Sequence, residues 1–494
     1  MKHTLLFNLL FISFFPLSIF AAGIYQNQNQ SAEFIRTVNR NASTEVDAVY
    51  FNPAGTAFLK DGVHVYLSDQ YINDQREVRN SSKVIQTYIA VPTEQKYNGT
   101  ATTFLYPDIY FVYKSKDLAI FGGFGIVGAG ASASFNNGLP MFDTLALGYL
   151  AALSGGFENL NYKSNISMEG MQAMLGFSLG GAYKINKILS LALGARLVYF
   201  IQTAEIKFHW IEGSGPGINP ADVTDMQISM TADGIACSII ASAHVRPLPN
   251  MNIGMKFEYH TPLEVKNNTR IMDVPKKLWD MEDVRKGLES YSHGAVSKKT
   301  MPMLASIGIS YLFFSKLKLE IDFTYFFNKA TDWGTDQYNE IISQKFNDGY
   351  DVGLAVEYEI VNGLKMSVGS TYSVSGRTEK SSNDVDIGLD AITLGFGVTY
   401  AFTENLQVTA AAMHVFFRSQ TFENDTSKVP DADKKTWLEG KTLLSESTWI
   451  AAISASYRFP FKKEIAESKK NDDQNKSKIA DEKKVDDKIK EKKI

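Results

Sequence analysis

Residues 350–360 read Tyr-Asp-Val-Gly-Leu-Ala-Val-Glu-Tyr-Glu-Ile. Tyr350, Val352, Leu354, Val356, Tyr358 and Ile360 share one parity, and Asp351, Gly353, Ala355, Glu357 and Glu359 the other. Side chains in a strand point alternately to two faces. A strand here therefore has one wholly apolar face and one face with three carboxylates. A water-soluble sandwich hides its apolar face against a second sheet. In this chain the same code recurs many times, joined alternately by very short and very long connections. That pattern is the mark of a membrane-spanning barrel, apolar and aromatic toward lipid and polar toward the lumen.

Alternating segments lie at roughly 63–72, 104–114, 117–134, 168–184, 188–208, 229–246, 249–266, 300–313, 316–329, 348–361, 363–376, 387–402, 405–418 and 448–461. These fourteen are an even number, as a bacterial single-chain barrel requires. Within 317–327, Leu317, Leu319, Ile321, Phe323, Tyr325 and Phe327 alternate with Lys318, Glu320, Asp322 and Thr324. Short turns stand at 115–116, 186–187, 246–250, 315–316, 362–363 and 403–405, with long stretches between them. Short turns belong to the periplasmic side, so both ends of the barrel face the periplasm. The predicted fold is all-β: a 14-stranded antiparallel transmembrane β-barrel over residues 63–461.

Met1–Ala22 has a basic start at Lys2, an apolar run from Leu5 to Phe20 and small residues at 21–23, the layout of a secretory signal peptide. No later segment offers the ~18–20 continuous apolar residues of a spanning helix. An exported chain without a helical route into a bilayer resolves into a barrel, which satisfies its backbone between strands. Residues 462–494 carry 12 Lys against 9 acidic residues and no aromatics, and read as a charged, disordered periplasmic tail. A net charge of −4 gives no nucleic-acid footprint. The single Cys237 excludes an intrachain disulfide. The histidines His64, His209, His244, His260, His293 and His414 are scattered, which argues against a metal site or a lipid hydrolase. The chain reads as neither an enzyme nor a cofactor protein.

Before the first strand, residues 40–59 read Arg-Asn-Ala-Ser-Thr-Glu-Val-Asp-Ala-Val-Tyr-Phe-Asn-Pro-Ala-Gly-Thr-Ala-Phe-Leu. This segment resembles the N-terminal plug of the FadL/TodX family of outer-membrane transporters of hydrophobic compounds, whose Asn-Pro-Ala motif stands here as Asn52-Pro53-Ala54. The stretches 106–111, 180–185 and 395–402 are similar to the family's second, fourth and twelfth strands. The resemblance spans residues 22–461.

It implies a lumenal hatch at 23–62, centred on Phe51, Asn52, Pro53, Ala54 and Gly55. It also implies an outer-membrane location and passive uptake of a hydrophobic small molecule. Long-chain fatty acids come first and aromatic hydrocarbons second. The expected route runs from outer loops to a lumenal pocket and then sideways into the outer-membrane lipid at a kinked third strand. Gly125, Gly128 and Gly130 suit that kink, since glycine weakens strand pairing; they equally suit close packing of the plug. By parity Arg196 and then Lys256 are the basic lumenal candidates for a ligand headgroup, with Val198 and Phe200 as apolar lining. Both cations equally suit bracing ion pairs with the inward acids. Two apolar loop segments are candidates for the entrance, or for a simple cap over the mouth. One carries Phe142, Leu145 and Leu150, the other Leu278 and Trp279. A monomer is expected. An open porin or a loop-based surface adhesin is the alternative reading.

Overall fold

The computed structural model describes residues 28–461 apart from 90–94, 282–284, 286–287, 290, 337–338, 383–387 and 425–431. The expected signal peptide and charged tail lie outside the described residues.

Fourteen antiparallel strands form the wall. They are β1 (Gly62–Asn80), β2 (Gln95–Thr103 and Asp108–Ser115), β3 (Leu118–Phe135), β4 (Asn161–Lys184), β5 (Leu189–Ser214), β6 (Met226–Val245) and β7 (Met251–His260 and Glu264–Asp273). They continue as β8 (Val296–Lys298 and Leu304–Phe313), β9 (Leu317–Phe326), β10 (Gly349–Val361), β11 (Leu364–Val374), β12 (Ala391–Ala401), β13 (Leu406–Phe417 and Gln420–Glu423) and β14 (Lys441–Phe459). Each pairs with the next. β14 closes on β1 in an unbroken register from Val63↔Phe459 to Asn80↔Thr442. Closure leaves no edge strand, which a bilayer requires. No described helix is long and apolar enough to cross a membrane.

The expected parity holds in the membrane zone. Leu191, Leu193 and Leu197 are exposed on the outer wall, as are Val352, Leu354 and Tyr358, whereas Arg196, Ala355 and Glu357 are buried inside. Several strands run well past the expected ends: β1 to Asn80, β4 from Asn161, β5 to Ser214 and β14 from Lys441. The cause is an inversion of the code. Above the bilayer the outer face meets water and the inner face meets an apolar cap. In β5, Ile206 and Phe208 are therefore buried inside, while Lys207 and His209 face out.

Residues 28–61 lie inside the barrel and are mostly buried. They include helix α1 (Ala32–Thr37), helix α2 (Ala48–Phe51) and a 3-10 turn, Pro53–Phe58. α1 begins on Ser31, whose side chain accepts from the Phe34 N–H. Arg40 organises the following loop through Asp47, at 2.7 and 2.8 Å, and Glu45, at 2.6 Å. The wall receives this segment on glycines. A Cβ at Gly369 would lie 1.7 Å from the Thr37 carbonyl, and one at Gly353 1.9 Å from Asn39 Oδ1. Gly254, Gly308 and Gly395 make similar room for Asn41, Ala42 and Ile35. On β9, where no glycine faces the plug, Asp322 and Glu320 accept from the backbone N–H groups of Asn41 and Ala42.

Candidate functional site

Among the described residues the longest interruption of the wall lies beside the plug, between β2 and β3. The β2–β3 ladder runs from Ser115↔Leu118 to Ile109↔Phe124, then resumes only at Thr100↔Ser134 and Gly99↔Phe135. Between these points β3 keeps its pairing with β4, but its register shifts between Ile126 and Gly128 and again between Ala129 and Ala131. Gly125, Gly128 and Gly130 all lie in this stretch. Each shift inserts a residue that bends the strand. The gap is filled from within. The Ile126 carbonyl, freed from the ladder, accepts from Gln30 Nε2 and from the Tyr106 hydroxyl, each at 2.6 Å. Tyr110 donates to the Gln30 carbonyl at 2.7 Å, and Gln70 donates to the Asn29 carbonyl at 2.6 Å. The start of the plug thus sits against the bent strand.

The other end of the plug is bolted to β5 and β6. Asn52 Nδ2 donates to the Ser43 carbonyl at 2.9 Å and lies 2.7 Å from His244 Nδ1, while Ser242 donates to Asn52 Oδ1 at 3.1 Å. Ser190 donates to the Ala54 carbonyl at 2.7 Å. Pro53 opens the 3-10 turn where its missing N–H is no loss. Gly55 has no room for a Cβ, which would meet the Ser43 carbonyl at 2.2 Å. Phe51 is buried and stacks on Phe34 at 5.3 Å. Replacing Asn52 with alanine removes these bonds and leaves Ser242 and the Ser43 carbonyl buried and short of partners, at a cost of about 2–4 kcal/mol. The expected result is faster tryptic cleavage at Arg36 and Arg40 in a barrel that still shows heat-modifiable mobility; unchanged cleavage would refute the anchoring role.

In the lumen Arg196 and Lys256 converge on one carboxylate. Arg196 Nη1 pairs with Glu258, and its Nε donates to Ser178 at 3.0 Å. Lys256 Nζ lies 3.5 Å from Glu258 and donates to the Tyr50 carbonyl at 3.0 Å. Both cations also stand 4.7 Å from the Tyr50 ring. The pair therefore braces plug against wall. Val198 and Phe200 are fully buried in the apolar cluster above.

The outer mouth is covered by the short helix α3 (Lys83–Tyr88) and by helix α4 (Pro140–Ser154), the latter buried on nearly all sides. Phe142 and Leu145 from α4 and Leu278 from helix α5 (Lys276–Trp279) meet around a narrow apolar pocket with Tyr149, Phe208 and Trp210. Its free volume is about 20 Å³, so it is closed to a ligand in this state. Leu150 is buried in the cap and Trp279 packs against it. Farther along the same connection Met281 packs against the cap and Leu288 is buried in it, while Val284, between them, lies outside the described residues.

Polar bolts hold α4. Tyr149 donates to the Asp222 carbonyl at 2.7 Å. Asp143 accepts from Tyr97 and Tyr162, each at 2.6 Å. Burial pushes the Asp143 carboxyl up from 3.8 to about 6, against the lowering effect of those hydroxyls. The folded cap thus holds the proton more tightly than the unfolded chain. That stability is complete below the ordinary carboxylate range and is lost as pH rises through about 6, at most about 3 kcal/mol in all. Proteolysis within residues 140–154 is expected to be faster at about pH 7.5 than at about pH 4.5, with Asp143→Asn flattening the profile. A profile that Asp143→Asn leaves unchanged would rule this out.

The family model described as Outer membrane protein transport protein (OMPP1/FadL/TodX) matches residues 12–459. The chain belongs to this family. Among solved structures, a Pseudomonas aeruginosa FadL homologue matches with a TM-score of 0.60 and 14% identity, over 89% of this chain and 100% of that one. The P. putida toluene transporter TodX matches with a TM-score of 0.55 and 13% identity, over 85% and 95%. At these identities the likeness is one of fold. No curated protein matches the sequence. The chain is an outer-membrane transport protein and not an enzyme.

Gly176-Phe177-Ser178-Leu179-Gly180 has the spacing of a nucleophile elbow but runs inside β4, with no helix after it and Ser178 bonded to Arg196. No cluster that could hold a metal occurs among the described residues. Sequence reasoning missed Gln30 and Tyr106 at the wall gap. It also missed Leu263, Met301, Trp333 and Phe346 in the lumenal cluster. Leu263 and Met301 sit in breaks of β7 and β8, where alternation fails. Trp333 and Phe346 come from an outer connection, and no local pattern marks either as lumenal.

Proposed function

We propose that this protein admits uncharged hydrophobic small molecules across the outer membrane by passive diffusion. They are taken up at the apolar pocket of Phe142, Leu145 and Leu278 when α4 lifts. They pass the lining of Val198 and Phe200 and leave sideways between β2 and β3 into the lipid. The observation that carries this reading is the interrupted β2–β3 ladder, bridged from within by Gln30 and Tyr106 on the Ile126 carbonyl. An aqueous pore has no use for a gap facing lipid at this height.

The ionic state of the lumen favours a neutral cargo, and hydrocarbons over long-chain fatty acids. Arg196 and Lys256 are already engaged with Glu258, so a fatty-acid carboxylate would have to displace a buried partner. Native mass spectrometry of the barrel with added toluene, oleate and a small sugar tests this. Retention of toluene above oleate supports a neutral cargo. Retention of oleate that is lost in Arg196→Ala would move the reading to fatty acids. No retention of either, with sugar flux through reconstituted bilayers, would replace it with a porin.

A further inference from the structure

On β4 the inward face carries Met168, Gly170, Gln172, Met174 and Gly176 in sequence. Gln172 is 1% exposed, and neither its Oε1 nor its Nε2 has a hydrogen-bond partner among the described residues. That is unusual for a buried primary amide. Gln70, equally buried in this barrel, uses both amide atoms: Oε1 accepts from Asn29, and Nε2 donates to Asn29 and Asp108. Gln172 stands where two apolar clusters meet. Met168, Ala204 and Ile206 belong to the outer cap, while Met174, Val198 and Phe200 belong to the lumenal cluster. Its neighbour in register on β3 is Ala131, at the second shift beside the wall gap. Its neighbour on β5 is Gln202, on the same inward face and partly accessible.

We infer that Gln172, with Gln202 across the ladder, is a recognition point for a neutral hydroxyl group on an otherwise hydrophobic cargo. The inference rests on the transport reading above and narrows its substrate class. A carboxamide offers two donor hydrogens and two acceptor lone pairs. It can accept from a hydroxyl through Oε1 and donate to an oxygen through Nε2. Directly opposed residues on adjacent strands hold their Cβ atoms about 5 Å apart, so both amides reach one oxygen. Leaving such a group buried and unmet is costly, and an apolar side chain of the same size would avoid the cost. A passage lined only for hydrocarbon has no need of it. The carboxamides are neutral and offer a charged headgroup no counter-charge, whereas a phenol or alcohol finds both halves of a hydrogen bond.

The test compares toluene with p-cresol, which differ by one hydroxyl, in uptake by cells carrying the full-length wild type, Gln172→Leu or Gln172→Met. Assembly of each variant is checked by heat-modifiable mobility, and the cresol-to-toluene ratio within one variant is independent of the amount assembled. The expected result is a wild type that prefers cresol and a ratio that falls about tenfold in both variants, the worth of one buried hydrogen bond. An unchanged ratio in both variants overturns the inference, whether or not total uptake falls. Failure of the wild type to take up either compound above a strain lacking the protein would instead overturn the transport reading itself.

Discussion

Gly369→Val is expected to unseat the plug and turn a closed barrel into a leaky one. The added Cβ would lie 1.7 Å from the Thr37 carbonyl, at the end of α1, and the wall strand cannot yield because it is paired on both edges. The plug cannot shift slightly either. Next to this contact Arg36 is paired with Glu357, Thr371 donates to the Val38 carbonyl at 2.8 Å, and Asn41 and Ala42 are bonded to β9. Overlap with backbone on both sides is relieved only by displacing residues 35–42 as a unit, an overpacking cost of about 3 kcal/mol or more. Sensitivity of cells to a large hydrophilic antibiotic should rise about tenfold or more. Gly156→Val is the control, because a Cβ there meets nothing within 4 Å. Normal exclusion of the antibiotic by the Gly369→Val barrel would show that the plug is not seated on this glycine row.

Gly128→Val combined with Gly130→Val is expected to act in the opposite way, closing a route without opening another. These residues occupy the shifted segment of β3 that has lost its β2 partner. Valine stiffens a strand and fills the space a bend would leave. Uptake of toluene should fall to about a tenth, while exclusion of the large antibiotic stays at the wild-type level. Undiminished uptake in an assembled double variant would exclude lateral exit at this strand. The two experiments separate the plug from the wall gap, since one raises permeability to polar solutes and the other lowers passage of apolar ones.

Much of the architecture was legible in the sequence. Arg196 and Glu357 were assigned to the lumen, and Val352 and Leu354 to lipid, by parity alone, because the bilayer imposes one rule on every strand at the same height. The outer extensions of β1, β4, β5 and β14 were not legible, because above the membrane that rule reverses: Ile206 and Phe208 turn inward while Lys207 faces water. The candidate entrance residues Phe142, Leu145 and Leu278 were marked by exposed apolar character. That α4 and α5 bring them to one pocket follows from loop packing that no local pattern encodes.

The Asn52-Pro53-Ala54-Gly55 motif pointed to a plug, but not to its partners. Ser190, Ser242 and His244 look like ordinary lumenal polar residues until the barrel closes around them. The same holds for Arg196, whose charge was plain but whose engagement by Glu258 required β5 and β7 to be brought together across β6. By itself the sequence determined the strand count, the faces and the closure, because each strand must satisfy lipid locally. Only the tertiary structure decided where the wall is left unpaired and what fills that gap. Gln30 is 80 residues from Tyr110 and 96 from Ile126, which it meets there, and a contact that distant leaves no periodicity to read.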